Sequence, residues 1–91
     1  MEIKKKKNKY NKYQCPCCKY YTLEEGRENS FDICDVCYWE DDEIQEDDPS
    51  YTGGANDVSL NQARENFKKY KAASEFVARF TRAPNEYELP D

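Results

Sequence analysis

Cys15-Pro16-Cys17-Cys18, then fifteen residues, then Cys34-Asp35-Val36-Cys37: the fold turns on this stretch. Cys15 with Cys18 and Cys34 with Cys37 make two C-x2-C pairs at the separation of a four-thiolate zinc site. Each pair is expected to form a tight knuckle that presents two sulfurs to one tetrahedral ion. Pro16 suits such a turn, because its φ is fixed near about −65° and no backbone donor is needed there. Cys17 is the spare sulfur. It is either a redox-active thiol that exchanges into the metal site or, the reading adopted here, a small apolar residue filling the knuckle.

Working outward, the composition explains why a metal is needed. Only 37% of the 91 residues are hydrophobic and 36% are charged. Apolar runs never exceed four residues. Ordering the backbone costs about 1–2 kcal/mol per residue, and so little apolar surface offsets it poorly. A structural zinc ion, with an apparent binding energy of about 10–16 kcal/mol, supplies the difference. Disulfides are the competing use of cysteine. The count of five is odd, two of the cysteines are adjacent, and the chain starts lysine-rich with no signal-peptide pattern. These features point to thiols in a soluble, cytoplasmic protein. No run approaches membrane-spanning length.

Charge divides the chain into three parts. Residues 1–12 hold six lysines against Glu2, and they read as a disordered basic arm. Residues 24–57 hold thirteen acids against Arg27 alone. Residues 58–82 hold six basic side chains against Glu65 and Glu75. Between the knuckles, Tyr20–Leu23 and Phe31–Ile33 have strand chemistry, with a turn around Gly26 and Asn29. The expected fold is therefore a small α+β metal-bound domain. It has a zinc-ribbon or rubredoxin-like β-hairpin carrying a knuckle at each end, an acidic crossing loop, and a C-terminal helix. Ser59 and Gln62 form a capping box at the start of that helix, with Val58 stapled to Ala63. Leu60, Ala63, Phe67 and Tyr70 mark its buried face. Residues 74–80 either continue the helix or begin a second one, and Pro84 stops it. The domain is placed at residues 13–83, with 84–91 as a tail.

Several ordered segments resemble the bacterial cysteine-rich CPCC family: Cys15-Pro16-Cys17-Cys18, Ile33 through Asp42, Gly53 through Leu60, and Ala63 through Phe67. The resemblance spans roughly residues 13–83. One departure is Lys19, where a glycine often relaxes a left-handed turn after a knuckle. The resemblance implies a small zinc-binding bacterial or phage protein, and it brings no substrate or mechanism with it.

The metal ligands are thus Cys15, Cys18, Cys34 and Cys37, one Zn²⁺ per chain. Four thiolates leave no open coordination position, and the chain has no histidine, so catalysis at the metal is not expected. Iron in a rubredoxin-like redox site is the alternative, since the ligand set is the same. Trp39, with Tyr38, Tyr20, Tyr21 and Phe31, is expected beside the metal, chiefly as a shield for the thiolates. Glu40, Asp41, Asp42, Glu43, Glu46, Asp47 and Asp48 lack the spacing of a calcium loop. The plain reading of this run is a solvated acidic loop, and one use beyond that is pairing with Arg64, Lys68, Lys69 and Lys71 on the helix. The other is recognition of a protein partner with a basic surface, through Trp39, Glu40, Asp41, Asp42, Asp47 and Asp48. On this reading the chain is a non-enzymatic protein-interaction module, of the kind seen in inhibitors, immunity factors or phage accessory proteins. The acids next to the aromatics repel phosphate, which leaves only the lysine arm for nucleic acid.

Overall fold

Two turns of the same backbone shape organise the chain. In the first, Cys15 O accepts from Lys19 N at 3.0 Å while Cys15 N donates to Tyr20 O at 2.9 Å. In the second, Cys34 O accepts from Tyr38 N at 2.7 Å while Cys34 N donates to Trp39 O at 2.9 Å. The residue after each second cysteine is left-handed, Lys19 at φ 72° and Tyr38 at φ 69°. Glycine is therefore not required at position 19: both knuckles place a bulky residue in this conformation, at a cost of about 1–2 kcal/mol each. The computed structural model describes residues 5–24 and 31–90.

The expected hairpin does not form. Tyr20–Leu23 and Phe31–Ile33 do not pair with each other; each pairs instead with the other flank of its own knuckle. Tyr13 and Leu23 exchange backbone bonds of 2.9 and 3.0 Å. Ile33 bridges to Glu40, and Asp41 N donates to Asp32 O at 2.8 Å. A knuckle reverses the chain, so its own flanks are already side by side, and closing them orders no further loop, whereas pairing the two runs would also order the residues between them. The expected turn around Gly26 lies outside the described residues. Among the described residues there are isolated bridges and no continuous strand.

Helix α1 spans Glu43–Asp47 and α2 spans Leu60–Tyr70. Ser59 caps α2, its Oγ accepting from Gln62 N at 3.1 Å. The reciprocal half of the box is missing, because the Gln62 amide donates to Asn66 Oδ1 instead. Leu60 and Ala63 are buried, with Phe67 partly so, and Tyr70 is only half-buried. Lys71, at φ 61°, ends the helix by donating its N–H to Phe67 O. Residues 74–80 do not prolong α2. After a break they form a separate 3₁₀ turn, Glu75–Phe80. α2 grips both knuckles: Arg64 Nε donates to Pro16 O at 3.0 Å, and just beyond the helix Ala73 N donates to Cys37 O at 2.7 Å.

Both terminal segments, from residue 5 and to residue 90, are built into the domain. Residues 5–12, expected as disordered arm, close around buried Asn8. Its amide donates to Tyr87 O and Leu89 O, and its Oδ1 accepts from Tyr10 N and Lys12 N. The expected tail contains the 3₁₀ turn Glu86–Glu88, capped by Asn85. Glu88 is buried, receives the Arg82 guanidinium through two bonds of 2.7 and 2.8 Å, and its carbonyl accepts from Tyr21 N. The folded unit therefore reaches well beyond residues 13–83 on both sides.

Candidate metal centre

The knuckles face one another and bring Cys15, Cys18, Cys34 and Cys37 together, with all four Sγ atoms within 4.8 Å of one another. Cys15 and Cys37 lie 3.6 Å apart and Cys18 and Cys34 3.7 Å apart. These spacings are far longer than a disulfide, about 2.05 Å. They match the edge of a tetrahedron of sulfurs about 2.3 Å from a central zinc ion, about 3.8 Å. All four cysteines are free and buried. The sulfurs expected from the spacing are the ones the fold assembles, and they can hold a metal ion.

The electrostatics of the cluster favour a cation. The thiols of Cys15, Cys18 and Cys37, and after them the Thr22 hydroxyl, stabilise the Cys34 thiolate and hold it far below the ordinary thiol range. Thr22 Oγ1 donates to Cys34 Sγ at 2.9 Å. Burial pushes Cys15 far up, and contact with Cys15 pushes Cys37 up. Burial and mutual contact thus oppose ionising all four thiols together. Four thiolates this close repel strongly in a dry interior, and a divalent ion removes that repulsion. The donor chemistry and spacing fit zinc, which would contribute structural cross-linking of the two knuckles.

Cys17 is not among the four clustered sulfurs; it is buried in the adjoining apolar core, as a filler would be. Cys17→Ser is therefore expected to keep one metal equivalent per chain and to lose about 1–3 kcal/mol, the cost of burying a hydroxyl. Elemental analysis with urea melts checks both. Loss of stoichiometric metal in this variant would make Cys17 a ligand.

The acidic segment is not the open surface its composition suggested. Trp39 and Asp41 are fully buried, and Asp42 is 6% exposed, so these three cannot form a recognition face. Glu40 is half-buried, and only Asp47 and Asp48 are exposed. Trp39 Nε1 donates to Glu46 Oε2 at 3.1 Å, inside the core that adjoins the thiolates. Asp42 caps α1 through Ile44 N and Gln45 N, and its other oxygen takes Ala55 N at 2.8 Å. Gln45 then binds Tyr51 O, Val58 O and Asn56. A side chain on Gly54 would collide with Asp42 and Gln45, which explains the glycine there. The crossing loop is in fact wrapped on α1. Asp42 with Gln45 three residues on is itself a capping pattern, a signal the charge run conceals.

The cation beside this segment comes from the arm, not from α2. Lys5 Nζ lies 2.8 Å from Asp41 and 3.4 Å from Glu46, with only 8% of its side chain exposed. Lys68 pairs with Glu65 on its own helix. Burial, and then Asp41, raise Glu46 to about 7. A carboxyl raised in the fold binds more protons than in the unfolded chain, so its contribution falls as pH climbs from about 4.5 to about 7 and is lost above that. Glu46→Gln retains an acceptor for Trp39 and mimics the protonated group. In metal-loaded protein, the variant is expected to gain stability relative to the parent as pH rises through this window. Denaturation midpoints at pH 5, 6, 7 and 8 test it, and parallel profiles would refute it.

The sequence model of the cysteine-rich CPCC family matches residues 13–88. The chain belongs to that family. The match extends past the expected limit at residue 83 and takes in the Arg82–Glu88 pair, in agreement with the packing of the C-terminal turn. No curated protein matches the chain. Among the described residues, no helix is long and apolar enough to cross a membrane. The CPCC signature itself, Cys15 through Cys18, is the first knuckle of the four-cysteine cluster that can hold a metal ion.

Proposed function

We propose that this CPCC protein is a zinc-held structural domain that binds another protein and performs no chemistry at its metal. The observation that carries the reading is the closed set of four buried thiols, which leaves no coordination position for a substrate. The chain has no histidine to serve as an ordinary neutral-pH base. Protein binding is supported by apolar side chains left outside the core, Phe76 at 73% exposed and Ile44 at 64% among them. Free thiols in this arrangement require a reducing compartment, and we place the protein in the cytoplasm.

The test is elemental analysis of protein purified under reducing conditions without added metal, with circular dichroism before and after chelation. One zinc per chain and loss of the folded spectrum on chelation are expected. A red protein with one iron would instead establish the redox alternative. A metal-free chain with an unchanged spectrum would remove the proposal altogether.

A further inference from the structure

A groove of about 310 Å³ lies where both knuckles, the end of α2 and the segment after the Glu75–Phe80 turn converge. Its walls are Tyr20, Val36, Phe67 and Pro84. Tyr20 and Phe67 meet edge to face, with centroids 6.4 Å apart. The size is near the lower end of the about 300–1,000 Å³ typical of ligand pockets, so a short chain segment fits better than a folded surface. The rim is basic. Lys71 and Arg82 stand on it, and Lys19 adjoins Tyr20 in sequence.

These cations are not equivalent. Arg82 is already engaged by Glu88 and faces Asp35 at 3.6 Å. Among the described residues no ion pair engages Lys71 or Lys19. Although the protein is acidic overall, with a net charge of −5, Asp41, Asp42 and Glu88 are turned inward. The groove therefore combines aromatic walls with a lysine that no carboxylate of the described residues pairs with. We infer that it docks a short apolar segment of a partner protein bearing an adjacent carboxylate, the apolar side chain against the Tyr20 and Phe67 rings and the carboxylate on Lys71. This rests on the protein-binding reading above and gives that partner its chemistry.

The probe is a capped tetrapeptide with a leucine–phenylalanine centre flanked by glutamates, compared with versions flanked by glutamines or by lysines. Amide shifts are followed in the metal-loaded, full-length chain. Saturable shifts at Tyr20, Val36, Phe67, Lys71 and Ala83 are expected with the acidic peptide. The glutamine version should bind about threefold more weakly, as one exposed charge pair implies, and the lysine version more weakly again. Lys71→Gln should remove the difference between the acidic and glutamine peptides. Ala83→Trp, at an exposed groove position, should block all three. Equal affinity for the three peptides, shifts confined to other surfaces, or undiminished binding by Ala83→Trp would overturn the inference. Metal content and melting are recorded on the same samples. Failure in a fully loaded, folded chain counts against the groove alone, whereas a stably folded metal-free chain counts against the zinc-held domain.

Discussion

Cys34→Ser is expected to abolish stoichiometric metal binding and to leave the chain largely unfolded at 25 °C. Cys34 is fully buried, lies 3.7 Å from Cys18, and takes bonds from Thr22 and from Cys37 N. Serine offers a harder and much poorer ligand, and the three remaining thiolates lose the charge balance that a four-sulfur set gives. Metal binding worth about 10–16 kcal/mol in such sites exceeds the about 5–15 kcal/mol that an ordinary domain has in total. Among the described residues the buried apolar set is short: outside the cysteines it consists of Tyr21, Leu23, Val36, Trp39, Leu60 and three alanines. It cannot hold the fold alone. Elemental analysis and far-ultraviolet circular dichroism of the variant decide the matter, and a folded variant with a cooperative melt would show that the core suffices.

The second large effect is expected at Trp39. Trp39→Ala should cost about 3–5 kcal/mol, because the indole is fully buried and its removal leaves a cavity that the rigid knuckle cannot fill. It also deprives Glu46 of the indole donor, in a place where water does not readily replace it. Trp39→Phe keeps most of the volume, loses that bond, and should fall between the parent and the alanine variant. Trp39 is the chain's one tryptophan, so its fluorescence reports this part of the core directly. Urea melts of both variants test the ordering. An alanine variant melting with the parent would return Trp39 to the surface.

The cysteine set was readable because its information is local: a two-residue gap within each pair is a statement about one turn. The same holds for Ser59, whose side chain reaches only to Gln62 N. Pairing was not readable. Tyr20–Leu23 and Phe31–Ile33 have the right chemistry for partner strands, but nothing in either run encodes that Tyr13, ahead of the knuckle, competes for Leu23 across a turn the cysteines already close. The acidic segment misled for a different reason. A run of carboxylates reads as solvated surface by count, whereas their fates here are set one at a time. Asp42 is taken by backbone donors of α1 and Ala55, and Asp41 by an ammonium from residue 5. A pairing across 36 positions leaves no trace in spacing. The lysine arm likewise gave no hint that Asn8 would hold the C-terminal segment.

That each knuckle closes on its own flanks has a consequence for how fast the protein assembles. Tyr13 and Leu23, and Ile33 and Glu40, are near neighbours along the chain, so the contacts that shape each half-site have low contact order. Bringing the halves together then means closing the interval between Cys18 and Cys34, and loops of about ten residues close in about 10–100 ns. The ion meets two short, self-contained claws and not a sheet whose register must first be found. Assembly is then paced by metal encounter and thiol deprotonation, so the refolding rate follows metal concentration and pH more closely than chain topology.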